Sequence, residues 1–169
     1  MSAAAAMHVD TIPGGPFDLA VVVANGFVVA SGFTPAADVW RTVSSDPMPA
    51  EMEIPQLRQA WSDYLAGEVA ALNSVNIQQA GSPVQEDVWV ALRAIPPGET
   101  ETYSGIARKI GRPNAARAVG SACGANGIAP FVPCHRVVAA GGSLGGYAYG
   151  LEAKQWLLRH ERAATNSHR

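Results

Sequence analysis

Seven glycines fall between residues 124 and 150, at positions 124, 127, 141, 142, 145, 146 and 150. They punctuate short apolar pieces, of which the longest glycine-free run is residues 128–140. Glycine inside a helix or strand costs about 0.5–1 kcal/mol relative to alanine. The chain must therefore pass through tight turns dominated by its own backbone, and loops of that kind suit a pocket lined by main-chain groups. Set among these glycines is Phe131-Val132-Pro133-Cys134-His135-Arg136-Val137-Val138, which holds one of the two cysteines of the chain.

The remainder of the 169 residues is better suited to regular structure. Residues 1–7 read as a frayed tail. Phe17–Val23 and Phe27–Phe33 are rich in β-branched residues and flank Asn25-Gly26, a strong hairpin signal because a type I′ turn needs positive φ at both central positions. Residues 34–53, with Pro35, Pro47 and Pro49, read mostly as connection. Leu57, Trp61, Tyr64 and Leu65 share a helical face that Gly67 can close, and Val69–Ile77 suggests one more strand. Gly81-Ser82-Pro83 marks a boundary, with Ser82, Pro83 and Gln85 forming a capping box ahead of the stripe Val88, Trp89, Leu92 and Ile95. Thr102 or Ser104 opens a short helix with Ile106, Ala107 and Ile110 inward, and Gly111-Arg112-Pro113 breaks it. Asn114 then caps a second short helix, with Ala116, Val119 and Cys123 on one side. Two short helices around a three-residue turn form a helix-turn-helix candidate at about 103–124. A last helix covers Leu151–Arg162, packing through Trp156, Leu157 and Leu158. The expected class is α+β, with a small α+β unit over residues 1–80 and a mainly helical unit over 81–165.

Composition excludes several classes. Hydrophobic residues make up 48% and charged residues 15%, which rules out wholesale disorder. No apolar run approaches the roughly 20 residues of a membrane span, and the N-terminus lacks the basic start and apolar stretch of a signal peptide. Two cysteines are too few for a secreted disulfide framework, so a reduced, cytoplasmic protein is expected. Cys123 and Cys134 do not form a CxxC pair, and no metal site is expected. The net charge of −2 divides unevenly. Residues 1–92 carry ten acidic and two basic side chains, whereas residues 93–169 carry four acidic and ten basic. Between Thr102 and Leu151 there is no Asp or Glu, yet Arg108, Lys109, Arg112, Arg117 and Arg136 all lie there. Such asymmetry points to an anionic partner such as nucleic acid, or else to a solvated basic face.

Cys134 has a histidine and an arginine as immediate neighbours. A thiolate is the reactive form of cysteine, and nearby cations favour it. Adjacent residues in a strand point to opposite faces, however, so the histidine must reach the sulfur through a bend or a water, with a third group to orient it. Downstream carboxylates are limited to Glu152 and Glu161. From the residues alone, Cys134 is either a nucleophile or an inert buried thiol.

The stretch from Ser82 to Glu161 resembles the O6-alkylguanine-DNA alkyltransferases, also called methylated-DNA–protein-cysteine methyltransferases. The resemblance rests on Tyr103-Ser104-Gly105-Ile106-Ala107, Ala115-Ala116-Arg117-Ala118-Val119-Gly120, Asn126, Pro133-Cys134-His135-Arg136-Val137-Val138, Gly146-Tyr147 and Lys154 to Glu161, in the family's order. The helix Gln56–Glu68 looks like part of the family's N-terminal domain, which implies a ribonuclease-H-like unit before the helical one. The resemblance implies direct-reversal repair, in which an alkylated guanine (O6-methylguanine chiefly, also O4-methylthymine) is flipped from duplex DNA and its alkyl group moves irreversibly to Cys134. It also implies roles for neighbouring residues. His135 would be a water-mediated base held by Glu161, and Tyr103 would bond or protonate the flipped base. Lys154 would support that step, and Asn126 would be the hinge between recognition helix and cysteine loop. Val137, Tyr147 and Ala148 would belong to the pocket. Arg117 would be the finger entering the vacated stack, with Ala115, Ala116, Gly120 and Ser121 against the minor groove and Ser104 also binding DNA. No cofactor and no obligate protein partner are implied, and a monomer is expected.

The chain departs from the family pattern in places. Gly127 stands where proline is usual, which implies a less rigid loop. Ala148 and Tyr149 replace other residues, and Tyr149 is expected to narrow the pocket. Val84 replaces a common aromatic. A non-catalytic relative of the family would lack the cysteine, and an unrelated cysteine hydrolase would not account for Arg117.

Overall fold

Asn25 and Gly26 adopt φ values of 51° and 82°, the pair of left-handed conformations that a type I′ turn requires. They join two antiparallel strands, β2 (Leu19–Ala24) and β3 (Phe27–Gly32). The structure is a computed structural model that describes residues 6–167. A further strand, β1 (Met7–Ile12), pairs with the opposite edge of β2 and completes a three-stranded antiparallel sheet in the order β1-β2-β3. Met7 is therefore the first residue of a strand rather than the end of a frayed tail, and residues 1–5 of that tail lie outside the described residues.

The register of β3 carries an irregularity opposite Val22 and Val23, so that Ala30 pairs with Val22 and Val28 with Val23. Because strand side chains alternate, this extra residue sends Val28 and Ala30 to opposite faces of the sheet. Val28 joins Ile12, Leu19 and Val21 in the main core. Ala30 joins Val9, Ala20 and Val22 in a smaller cluster, closed by Ala36, Val39 and Trp40. Those last three residues belong to α1 (Ala36–Arg41), a helix in the stretch expected to be connection. Six residues after Pro35, with no side-chain cap, are too few to display a helical period in sequence. Their presence explains why β2 is apolar on both faces.

The next helix, α2 (Pro55–Leu65), buries Leu57, Ala60, Trp61 and Tyr64 against the main core. Val69–Ile77 does not form the expected strand. It makes a short 3-10 turn at Ala71–Ser74, and only Ile77 pairs, through a single bridge to Val28. The carbonyls of Leu72 and Val75 accept instead from Arg93 Nη2 at 3.2 and 3.1 Å, so an arginine takes the place of a neighbouring strand.

Ser82 and Gln85 form the expected reciprocal capping box on α3 (Pro83–Arg93). Thr102 Oγ1 accepts from the Gly105 N–H and caps α4 (Tyr103–Lys109). The following helix, α5 (Ala116–Gly124), begins at Ala116, with Ala115 at its cap position and no side-chain cap. Asn114 is not the cap, and the connection runs from Ile110 to Ala115 rather than through three residues. The last helix, α6 (Leu151–Asn166), extends four residues beyond Arg162. Residues from both sides of position 80 share one apolar core, in which Trp61 and Leu19 join Leu92, Ile106, Val119, Phe131 and Leu157. The outer edge of β3 is bonded to both flanking segments. Val28 N–H donates to the Asn76 carbonyl, and Ser31 N–H to that of Gly127, each at 2.9 Å. The glycine-rich loop thus starts from a fixed point on the sheet. It also contributes Val137 and Val138 (β5), which pair in parallel with Glu101 and Thr102 (β4).

Candidate active site

Pro133 adopts φ −85° and ψ 65° and leads into a single 3-10 turn at Cys134–Arg136. A strand here would have placed neighbouring side chains on opposite faces. The turn instead fans the three side chains apart, closed by Arg136 N–H donating to the Pro133 carbonyl at 3.0 Å. His135 and Arg136 point into the interior, 0% and 2% exposed, while Cys134 is half-buried. Cys134 lines a pocket of about 200 Å³ together with Tyr103, Cys123 and Tyr147, and with Gly120, Gly124, Gly146 and Ala148. A larger cavity of about 350 Å³, bordered by Val23, Val28, Ile54, Leu57 and Val75, holds no titratable side chain.

One carboxylate organises the interior side of the turn. Glu161, fully buried on α6, accepts from Arg136 Nε on Oε1 at 2.8 Å. Its Oε2 lies 2.8 Å from His135 Nε2, and also accepts from the Tyr64 hydroxyl at 2.7 Å and from Arg136 Nη2 at 3.2 Å. Burial alone would raise the Glu161 carboxyl, but His135 and Arg136 beside it hold it well below the usual carboxylate range. An ionised carboxylate at Nε2 sets the imidazole tautomer, with Nε2 carrying the proton and Nδ1 its lone pair. Nδ1 is buried and has no hydrogen-bond partner among the described residues.

The sulfur has its own support. Asn126 Nδ2 donates to Cys134 Sγ at 3.3 Å and to the Val132 carbonyl at 2.8 Å. The Asn126 amide is oriented by the Ile128 N–H, which donates to Oδ1 at 3.0 Å, and by Gln79 Nε2 at 3.1 Å. Burial pushes the Cys134 thiol up, against the opposing effects of the Asn126 N–H and of Lys154. The resting group is thus a protonated thiol, which can become a nucleophile only if a base takes its proton. No hydrogen bond joins the sulfur directly to the His135 ring among the described residues.

A cysteine so placed, beside a carboxylate-held histidine and in a pocket next to α5, can be compared with known proteins. Residues 83–163 match the family model described as 6-O-methylguanine DNA methyltransferase, DNA binding domain. A methylated-DNA–protein-cysteine methyltransferase from Salmonella typhimurium is 52% identical over 100 residues, which is 59% of this chain and 58% of that protein. The same-named protein of Mycobacterium bovis is 40% identical over 162 residues, covering 93% of both chains. This chain belongs to the methylated-DNA–protein-cysteine methyltransferase family. Among solved structures, that of Mycobacterium tuberculosis OGT in complex with DNA superposes with a TM-score of 0.79 at 33% identity, covering 93% of this chain and 94% of the other. The chain spans little more than half the length of the Salmonella relative.

The other residues singled out for this methyltransferase family fall into three groups. Tyr103, Gly120, Tyr147 and Ala148 line the pocket beside Cys134. Burial raises the Tyr103 hydroxyl, with Cys123 adding to the effect, so it is a neutral donor at neutral pH. Ser104, Arg117 and Ser121 are exposed on α4 and α5, with Ala115, Ala116 and Gly120 half-buried between them. Val137 and Lys154 are fully buried and lie behind the pocket rather than on it. Lys154 Nζ donates to the carbonyls of Val137, Leu144 and Gly146, gathering three points of the glycine-rich loop onto α6.

Several expectations are corrected by this geometry. Cys123 both packs against the main core and lines the pocket, and burial raises its thiol to about 12. Tyr149 does not narrow the pocket. Its hydroxyl donates to the Ser31 carbonyl at 3.4 Å and its ring packs edge-on to Phe33. Gly127 is not loosely held, because its N–H donates to Gln79 Oε1 at 2.6 Å, a bond that proline could not make. Arg136 is a buried partner of Glu161 and not a surface cation. Tyr64 and Gln79 escaped notice as site residues. Their only sequence signal was a polar atom on an apolar helix face for Tyr64 and a glutamine ahead of a helix cap for Gln79, and neither is specific.

Proposed function

We propose that this protein repairs alkylated DNA by moving an alkyl group from O6 of guanine, or O4 of thymine, to Cys134 in a single, irreversible turnover. One arrangement carries the reading. Cys134 opens onto a pocket lined in part by α5, the helix that also carries exposed Arg117, while the adjacent histidine is held at 2.8 Å by a buried carboxylate. In this scheme the thiol proton passes through a water to His135 Nδ1, and Glu161 stabilises the resulting imidazolium. The sulfur then attacks the alkyl carbon, an S–C bond forms, and the C–O6 bond breaks with its electron pair passing to guanine. The Tyr103 hydroxyl protonates the departing base, making neutral guanine the leaving group. Asn126 steers the sulfur, and Lys154 supports the step by holding the loop that carries Gly146 and Tyr147.

The target atom is shielded inside a stacked duplex, so the base must be flipped out. Helices α4 and α5 serve as a helix-turn-helix over about 103–124, with α5 laid in the minor groove. That groove is only about 6 Å wide, which suits the small side chains of Ala115, Ala116, Gly120 and Ser121. Ser104 contacts the backbone, and Arg117 fills the vacated stack. Binding of this kind rests on phosphate contacts and deformation rather than base readout, as repair at any sequence requires. Residues 1–80 act as a reduced ribonuclease-H-like unit and 81–165 as the DNA-binding, alkyl-accepting unit of a cytoplasmic monomer. No helix among the described residues is long and apolar enough to cross a membrane.

The test is incubation with duplex DNA carrying O6-methylguanine, followed by digestion and mass spectrometry. A stoichiometric gain of one methylene on the Cys134 peptide is expected. Lesion binding without an adduct, or an adduct on Cys123 alone, would overturn the assignment.

A further inference from the structure

Tyr64 lies on α2, in the N-terminal part of the chain, and is completely buried. Its hydroxyl donates to Glu161 Oε2 at 2.7 Å, the same oxygen that lies 2.8 Å from His135 Nε2. The ring has little freedom. It stacks on Trp61 with centroids 5.1 Å apart and planes 10° apart, and the His160 ring lies 5.0 Å away. His160 Nε2 is also 2.7 Å from the Tyr64 backbone carbonyl, tying α6 to α2 at this point. The hydroxyl is therefore delivered to Oε2 from a rigid platform.

We propose that Tyr64 is a positioning residue for the alkyl transfer, through which the N-terminal half fixes the Glu161 carboxylate and sets how strongly it holds the His135 imidazole. The proposal rests on the alkyl-transfer reading above and gives the N-terminal half a defined part in it. Arg136 already grips Glu161 through both Nε and Nη2, so Tyr64 is not needed merely to satisfy a buried charge. Its contribution is specific to Oε2. A donor shared on one oxygen draws negative charge away from the other donors on that oxygen, because hydrogen bonds to an ionised acceptor are strong and largely electrostatic. With Tyr64 in place, Oε2 holds the His135 N–H less tightly, and removal of the hydroxyl tightens that hold. Burial and the neighbouring Glu161 charge both raise the Tyr64 hydroxyl well above its ordinary value, which keeps it a donor throughout the working pH range.

Other titratable and charged groups also face this cluster. Arg136 comes from the 3-10 turn, with Arg93 of α3 acting on it. Tyr147 approaches from the glycine-rich loop with its ring 6.4 Å from that of His135, and His160 from α6. All of these stay unchanged in Tyr64→Phe, which removes one oxygen and keeps the ring stack. The pH profile of that variant therefore reports on the hydroxyl alone.

The experiment measures the single-turnover rate of Cys134 alkylation by free O6-benzylguanine across pH, for wild type, Tyr64→Phe and Tyr64→Leu, with thermal unfolding alongside. In Tyr64→Phe the acid limb of the rate profile is expected to move up by about half a pH unit or more, a roughly threefold change in proton affinity, while affinity for duplex DNA is retained. Tyr64→Leu should show the same shift plus a loss of stability from the broken stack. A Tyr64→Phe profile superimposable on wild type, whether or not stability falls, overturns the proposal. Absence of wild-type alkylation in the same assay would instead sink the alkyl-transfer reading itself, so the two failures are distinguishable.

Discussion

Glu161→Gln isolates what a buried carboxylate does at this site. Four donor contacts converge on its two oxygens: Arg136 Nε on Oε1, and the Tyr64 hydroxyl, His135 Nε2 and Arg136 Nη2 on Oε2. An amide offers one acceptor oxygen and a donor NH2 group. Turned to keep its oxygen at the Oε2 position, it retains three of these contacts and sets its NH2 against Arg136 Nε. Turned the other way, it loses three. In the better orientation a fully buried guanidinium still loses its counter-charge, which costs about 3–5 kcal/mol. For a chain of this length that corresponds to a fall in Tm of roughly 6–20 °C, and a domain whose stability lies above the bottom of the usual range of about 5–15 kcal/mol remains mostly folded at 25 °C. The effect on chemistry is separate. A proton taken up at His135 Nδ1 would create an imidazolium beside Arg136 with no anion to offset either charge. General-base catalysis contributes about 10²–10⁴-fold, so alkylation of Cys134 by free O6-benzylguanine should slow at least about 100-fold near neutral pH. The assay is single-turnover mass spectrometry at a temperature where circular dichroism reports a folded variant. A folded Glu161→Gln protein within about threefold of the wild-type rate would refute the base assignment.

Arg117→Ala should weaken transfer from duplex O6-methylguanine far more than transfer from free O6-benzylguanine, measured by the same adduct, and equal losses would rule out an intercalating role. Gly145 has φ +70°, and a Cβ there would lie 2.7 Å from the Tyr103 hydroxyl, whereas Gly26 has φ +82° with nothing nearby. Alanine at either position should therefore cost about 1–2 kcal/mol in the left-handed conformation by denaturant unfolding, but only Gly145→Ala should slow alkyl transfer. Of the five cations between Thr102 and Leu151, Arg136 is buried and Lys109 is paired with Glu101 at 3.0 Å, which leaves Arg108, Arg112 and Arg117 of that window exposed without an ion pair among the described residues. At about 0.9 per phosphate contact, the log–log slope of duplex affinity against salt should be near −3. A slope of −6 or steeper would mean that other cations reach the backbone.

Much of this architecture was legible because local chemistry decided it. Asn25-Gly26 specifies its turn, Ser82-Pro83-Val84-Gln85 specifies its cap, and both occur where sequence placed them. The misreadings came from long-range partners. Val69–Ile77 has strand-like composition, but Arg93 takes its carbonyls. α1 is visible only as the cover for the second face of β2. In the site, the Pro133–Val138 motif pointed to Cys134 and His135, while the choice between Glu152 and Glu161 was guided by resemblance. The charge count was misled at Arg136, since a guanidinium reads the same on a surface as in a core. Tyr64 and Gln79 approach from more than 40 residues away in sequence to Glu161, Asn126 and Gly127, and no spacing rule anticipates such a meeting.

The direction in which burial moves Cys134 bears on why a single-use acceptor would be built this way. A thiol held as a permanent thiolate reacts with oxidants and stray electrophiles in proportion to its ionised fraction, and for a protein that accepts one group and stops, each such reaction is a lost molecule. Here the apolar surroundings favour the neutral thiol over the opposing pull of Asn126 and Lys154. The residues suited to removing its proton lie one turn deeper, where Glu161 and Arg136 hold His135 in the core. In the proposed transfer, reactivity would depend on completing a proton path from the sulfur to Nδ1 while an alkylated base occupies the pocket, rather than on the resting charge of the sulfur. The same carboxylate that bonds His135 also ties α2 and α6 to the 3-10 turn, so in the proposed mechanism a change that loosens the cluster would be felt in stability and chemistry together. Coupling of that kind would make the proposed acceptor inert by default and reactive only in a complete fold around its substrate.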